Sequence, residues 1–304
     1  MKKLILAQSV MNRVLYALFP IMLFSVFLFG WRVIAVLAIT NVFAFLTEYL
    51  FIRKKKNGKV SMAVFVTGSL LALSLPPTIP FWIAAVGAIV AITFGKMVFG
   101  GFGMNMFNPA IVGRTFIYIS FPNAMTVNWL KPFTTFPGGF GFWQNNAMLT
   151  AATPMIELKK FGIMPDLSSI FFGLVPGSMG ETSALLIMLA AIYLIVTKTA
   201  KWQAMFSTLI SFAVFTFLFY GQNPLPFIFS GAILFGAVFM VTDPVSMPKN
   251  KSAIWIYGIF VGFLTVFIRK LSLFTGAFGF AILLANTFMP IIEYKLNRVK
   301  AKGA

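Results

Sequence analysis

The sequence contains no cysteine and no histidine, and only six of its 304 residues are acidic. Without thiolates it cannot ligate an iron–sulfur cluster, and without imidazole the usual haem and zinc ligands are missing. Ser–His and Cys–His nucleophile pairs are excluded for the same reason. If the chain handles electrons, an organic cofactor has to carry them. Charge as a whole is scarce, at 10% of residues, while 60% are hydrophobic and the mean hydropathy is +0.93. Soluble domains are nearer ~45–50% apolar and ~25% charged, so the composition is that of a polytopic membrane protein.

The formal charge of +18 invites a nucleic-acid reading. The basic residues stand at the ends of apolar segments rather than in a polar domain, which makes them topology signals and excludes nucleic acid as a partner. A β-barrel is also excluded, because the apolar runs far exceed the alternating segments of ~10 residues that barrels use. No cleavable signal peptide is expected: "MKK" leads into a short apolar run broken by Gln8, Ser9 and Asn12.

Apolar runs fall at 14–30, 33–52, 61–75, 79–98, 109–121, 182–197, 203–220, 225–241, 253–268 and 272–291. The expected fold is all-α, with about ten transmembrane helices; the third and fifth runs are short, which predicts bent or broken helices. Placing the N-terminus inside puts seventeen Lys and Arg in the cytoplasm, including the cluster Arg53 to Lys59 and Lys96, against six outside. Arg114 is left within a span. That bias predicts a multi-pass membrane protein with both termini cytoplasmic. The organisation expected is a first five-helix unit at 1–121, an extracytoplasmic loop at 122–181, and a second five-helix unit with a basic tail at 182–304.

The two halves echo each other. "TGSLLALSLPP" from Thr67 resembles "SGAILFGAVFMVTDP" from Ser230, and "NMFNP" (Asn105 to Pro109) resembles "NTFMP" (Asn286 to Pro290). Five spans per unit is odd, so a repeat would be inverted across the bilayer, an arrangement that builds a central site from broken helices.

Polar residues concentrate in a few places. "GKMVFGGFGMNMFNPAIVGR" (Gly95 to Arg114) cannot form an ordinary helix because of its glycines and Pro109. Irregular backbone at membrane depth has to line protein or a cavity. Asn105, Asn108 and Arg114 are therefore candidate ligands for a polar guest, or equally the polar glue of closely packed helices. "GSMGETSALL" (Gly177 to Leu186) places Glu181, Thr182 and Ser183 at a helix start, a position that suits an anion or a simple cap. "TDPVSMP" (Thr242 to Pro248) predicts a turn whose Asp243 is a candidate for ion coupling. Glu48 is expected to pair with the Arg53 cluster, with ion coupling as its second reading. The loop stretch "NNAMLTAATPMIE" (Asn145 to Glu157) brings small residues to Thr153 and Pro154.

Taken in order, "LPP", "GKMVFGGFGMNMFNPA", "TAATP", "GSMGETSAL", "SGAILFGAVFMVTDPV" and "AILLANTFMPIIEY" resemble one membrane protein family from about Met11 to Tyr294. It is shared by the D-type membrane component of the Rnf electron-transport complex and the B-type membrane component of the sodium-translocating NADH:quinone reductase. Each motif alone is weak, and the ordered set is specific. The resemblance implies FMN joined as a phosphoester to the threonine of an S/T-G/A-A-T-P motif, which is Thr153 here. It also implies a second, noncovalent flavin such as riboflavin in some members, near Asn105 to Arg114 or the "TDP" turn. Implied partners are the other membrane and peripheral subunits, among them an FMN-carrying subunit at the outer face, and a flavin transferase for maturation. The function implied is that of a redox component in a larger oxidoreductase, coupled to Na+ or H+ transport. The short approach to the first span leans toward Rnf. Family members often carry an aspartate a few residues before the threonine, where this chain has Asn145 and Asn146. Two other readings stay open: a small-solute channel or permease without flavin, and a structural component whose flavin site has decayed.

Overall fold

In the computed structural model the described residues are 4–55, 58–127, 129–144, 148–149, 166–230, 232–272 and 276–302. They form a mostly helical, polytopic membrane protein. Five helices are long and apolar enough to cross a bilayer. They are α1 (Ser9–Phe29), α2 (Arg32–Ile52), α9 (Trp202–Tyr220), α12 (Lys251–Leu271) and α13 (Ala277–Lys302). At ~1.5 Å per residue, the 21 residues of α1 span about the thickness of the hydrocarbon core.

Between them lie shorter helices. These are α3 (Ala63–Leu73), α4 (Phe81–Ile92, continued by a π-helical turn over Thr93–Met97), α5 (Pro109–Ser120) and α6 (Pro122–Thr126). The series continues with α7 (Leu167–Phe172), α8 (Ala184–Val196), α10 (Leu225–Phe229) and α11 (Ala232–Phe239). The third and fifth apolar runs are indeed short helices. The tenth run differs from expectation: α13 starts at Ala277 and continues to Lys302, so the basic tail is the end of a helix. Glu293 ties it down, because its Oε1 accepts from the backbone amides of Lys249 and Asn250 at 2.8 and 2.7 Å, just ahead of α12.

Two helices are enclosed by protein. In α3 nine of eleven residues are buried and in α11 all eight are, which is what all-round apolar sequence requires. They correspond to the "TGSLLALSLPP" and "SGAILFGAVFMVTDP" stretches, and each runs into a proline-containing turn. The other sequence match folds differently in its two copies. Asn105 to Pro109 leads into α5 with Pro109 as the first helical residue, whereas Asn286 to Pro290 lies inside α13. The reason is the residue before each proline. Asn108 accepts hydrogen bonds from the Ala110 and Ile111 amides and so starts a helix. Met289 has no such group, and Asn286 instead accepts from the Tyr257 hydroxyl at 2.8 Å.

The loop after α6 docks onto the turn between α1 and α2. The amides of Trp31 and Arg32 donate to the carbonyls of Phe142 and Trp143 at 3.1 and 2.9 Å. A short antiparallel pair, β3 (Trp129–Leu130) with β4 (Met148–Leu149), closes the same region. At the opposite end β1 (Ile5–Leu6) pairs in parallel with β2 (Val60–Ser61), which fixes Ser61 beside α2.

Helices α9 and α12 cross at close range. Side chains built on Gly258 or Gly262 would collide with Ser207 Oγ at 1.8 Å or the Thr208 carbonyl at 2.7 Å. Small residues spaced Gly-x-x-x-Gly allow backbones this close, and Ser211 Oγ donates to the Ile259 carbonyl across the contact at 2.8 Å. Gly262→Leu is expected to destabilise the chain by ~1–3 kcal/mol through overpacking, seen as an earlier thermal transition in detergent. Val214→Leu, on an exposed face of α9, should leave the transition in place. Equal transitions for the two variants would dismiss this crossing as the one that sets stability.

Candidate functional site

Thr153, with Asn145 and Asn146, lies outside the described residues. The backbone on the near side of this segment is nonetheless held: Phe142 and Trp143 accept from the α1–α2 turn, and Leu149 belongs to β4. The chain re-enters α7 under the cap of Asp166, whose carboxylate accepts from the Ser169 amide at 3.1 Å.

From α7 the chain turns inward. Over Ser178 to Ser183 it is buried and meets the C-terminal end of α3. The Gly180 amide donates to the Leu73 carbonyl at 2.7 Å, and the Met179 amide to Leu75 at 3.0 Å. Ser25 of α1 donates to the Met179 carbonyl at 2.5 Å. The turn after α3 is held from its other side by Arg32, which donates to the carbonyls of Pro77 at 2.9 Å and Ile79 at 2.8 Å. With α3 only eleven residues long, about half the hydrocarbon thickness, these bonds satisfy carbonyls that lipid cannot.

Glu181 follows directly and forms a two-pronged ion pair with Arg114 of α5, whose Nη2 lies 3.2 Å from Oε2. Arg114 and Glu181 therefore neutralise each other's charge. Thr182 is buried beside them, and Ser183 accepts from the Leu186 amide at 3.4 Å as the N-cap of α8. The cap reading at this helix start holds for Ser183.

A second polar cluster occupies the other end of the bundle. Among the described residues, Glu48 of α2 pairs with Lys96 rather than with the Arg53 cluster. Its Oε2 takes Lys96 Nζ at 2.6 Å and its Oε1 the Ser61 amide at 2.9 Å, while Lys96 also donates to Ser61 Oγ at 2.5 Å. Both charged side chains are nearly inaccessible, at 2% and 3% exposure. Arg53 sits exposed at the end of α2. Lys96 is thus a buried structural cation and no topology signal, and Arg269, at 4% exposure, is buried likewise. Removing both from the count leaves the positive-inside bias intact.

Lys96 also lines a cavity of ≈ 60 Å³ between the first and second halves of the chain. Thr67, Phe102, Asn105, Asn108, Thr242 and Asp243 share its walls. Asn108 caps α5 with its oxygen and donates its amide to the Met240 carbonyl at the end of α11, at 3.3 Å. Asn105 donates to the Phe107 carbonyl at 3.1 Å. Asp243 forms the expected turn, accepting from the Val245 amide at 3.1 Å and Ser246 Oγ at 2.9 Å. The fold therefore brings Glu48, Lys96, Asn105, Asn108 and Asp243 to one end and Arg114, Glu181, Thr182 and Ser183 to the other region. Among the described residues, no three of His, Cys, Asp and Glu converge on a metal site.

Lys96, Ser61 and Arg32 hold buried polar contacts that sequence patterns alone do not mark. A lysine inside the 79–98 apolar run is the available signal for the first, since ionisable groups at that depth need a partner. Nothing local points to Glu48, 48 residues away.

A family model described as "NQR2, RnfD, RnfE family" matches residues 2–302. The chain belongs to that family. It is 35% identical over 291 residues to the D component of the Na(+)-translocating ferredoxin:NAD(+) oxidoreductase complex of Acetobacterium woodii, covering 94% of this chain and 87% of that one. It is 33% identical to the D component of the proton-translocating ferredoxin:NAD(+) oxidoreductase complex of Clostridium ljungdahlii, covering 96% and 91%. Against the B component of the Na(+)-translocating NADH-quinone reductase of Pseudoalteromonas atlantica the identity is 34%, over 89% of this chain and 68% of the relative.

Breaking a buried ion pair by removing one partner strands the other charge, at a cost of ~3–5 kcal/mol. Arg114→Met and Glu181→Met should each lower stability by about that much, while the double variant recovers most of the loss. Thermal unfolding of the purified chain measures it. Additive losses in the double variant would mean that the two side chains act independently.

Proposed function

We propose that the chain is the membrane-embedded flavoprotein component of an Rnf-type ion-translocating oxidoreductase, with FMN joined to Thr153 as a phosphoester. What carries this reading is the near-complete coverage of the D-type relatives combined with an intact "TAATP" motif at Thr150 to Pro154. The longer B-type relatives from the quinone reductase, of which this chain covers 68% in one case, are the second reading within the same family. A permease without flavin has no need of that motif.

In this reading the chain forms two inverted five-helix repeats with both termini in the cytoplasm, in the inner membrane, and the Thr153 loop lies outside. The buried helices α3 and α11, each ending in a proline turn, support the repeat. The loop docked on the α1–α2 turn supports a modification site held at the membrane edge, within reach of a flavin transferase and of an FMN-carrying partner protein. When bound, flavin supplies one- and two-electron transfer. The protein's own part is positional: β3–β4 and the carbonyls of Phe142 and Trp143 hold the flanking backbone at the α1–α2 turn. A second, noncovalent flavin is assigned to the cavity lined by Thr67, Asn105 and Thr242, where polar groups face apolar walls. At ≈ 60 Å³ it has room for only a few waters, so the walls formed by α1 and the glycine-rich segment at 98–107 have to part for a ring to enter. Glu48 and Asp243, at the same end as that cavity, are the assigned ion-coupling carboxylates. The relatives' names specify Na+ in one case and protons in another, and both ions suit buried carboxylates.

Intact mass and peptide mapping of the chain, made together with its flavin transferase, test the central assignment. A gain of one FMN less one water, abolished by Thr153→Ala, is expected. An unmodified mass, with the transferase active on another substrate, would sink it.

Asn105→Leu tests the cavity separately. It should reduce the flavin released from the native complex on denaturation and leave the covalent flavin in place. Unchanged release would move the noncovalent flavin elsewhere.

A further inference from the structure

A groove of ≈ 430 Å³ runs between α8 and α9 over a floor of α10 and α11. Every side chain lining it is apolar, among them Ile195, Leu209 and Ala213. Ile192, Phe206 and Ile210 on its rim are 59%, 48% and 54% exposed, so the groove opens toward lipid. The turn over 197–201 joins the two helices at the end of the groove marked by Ile195 and Met205.

That turn is basic. Lys198 and Lys201 stand on it, and Arg13 of α1 joins them by donating to the Thr197 carbonyl at 2.8 Å. The positive dipole end of α9 points at the same place. Trp202, 47% exposed, follows immediately, and tryptophan favours the headgroup level. An apolar slot for one chain thus ends at three cations.

We propose that this groove is a binding site for an anionic phospholipid, with an acyl chain along α8 and α9 and its phosphate at Arg13, Lys198 and Lys201. The charge pattern favours a lipid over a transmembrane helix from a partner protein. Helix ends on the basic side of a membrane protein are themselves rich in Lys and Arg, and such an end would be repelled here. An anionic headgroup gains from each cation, about fivefold in affinity per charge. The proposal does not rest on the flavin assignment: Val238 of α11 and the turn residues Thr199 and Ala200 border the cavity of Lys96, but Arg13, Lys198 and Lys201 do not line it, and no residue of the site belongs to the loop of Thr153.

The test is native mass spectrometry of the full chain in detergent, titrated with phosphatidylglycerol or phosphatidylcholine of the same acyl composition. The wild type is expected to retain phosphatidylglycerol at least ~10-fold better. Arg13→Gln combined with Lys198→Gln and Lys201→Gln should bring the two lipids to near-equal retention. Ala213→Trp, which fills the groove, should reduce retention of both. Ile192→Trp on the exposed rim serves the same purpose should that variant fail to fold. Equal retention of the two lipids by the wild type, or retention unchanged by either tryptophan, overturns the proposal. So does an Ala213→Cys thiol that a membrane-soluble maleimide reaches in the isolated chain but not in the complex, which would give the groove to a partner helix.

Discussion

Backbone carbonyls at the ends of α3 and α11 set the terms for the interior of this protein. Both helices are too short to cross a bilayer and are enclosed by other segments. In hydrocarbon there is no water to accept the unmet groups, so protein has to meet them. At α3 the amides of Met179 and Gly180 and the guanidinium of Arg32 do so. At α11 the side-chain amide of Asn108 does, while its oxygen starts α5. Each short helix is thus closed by groups distant in sequence: α3 by Arg32 and the 179–180 segment, and α11 by Asn108.

The buried charges follow from this arrangement. A chain segment that dives inward to reach Leu73 carries Glu181 with it, and burial of that carboxylate is tolerable only with Arg114 in contact. At the other end Lys96, Glu48 and Ser61 form a closed set beside the cavity that Asn105, Asn108 and Asp243 also border. The family's relatives are named for Na+ and for proton translocation. These two clusters place buried ionisable groups on either side of the broken helices.

Helix positions are legible in the sequence because apolar runs in a membrane protein have a length fixed by the bilayer. The short third and fifth runs, the Ser183 cap and the Asp243 turn are readable for the same local reason. Pairings are not. Glu48 looks toward its sequence neighbours in Arg53 to Lys59, yet the fold delivers Lys96, because β1–β2 and the π-helical turn after α4 bring distant segments together. Arg114 and Glu181 both read as ligands, and only the inward course of 178–183 reveals that each is the other's partner. The "NTFMP" copy misleads because periodic resemblance ignores the residue before proline, which decides whether a helix begins or continues.

Amide hydrogen exchange on the full chain in lipid nanodiscs tests most directly whether the broken helices are closed in this way. The peptide containing Met179 and Gly180 should exchange as slowly as the interior of α9, although it belongs to a loop. Exchange there as fast as in the turn over 197–201 would contradict it, and with it the placement of Glu181 against Arg114.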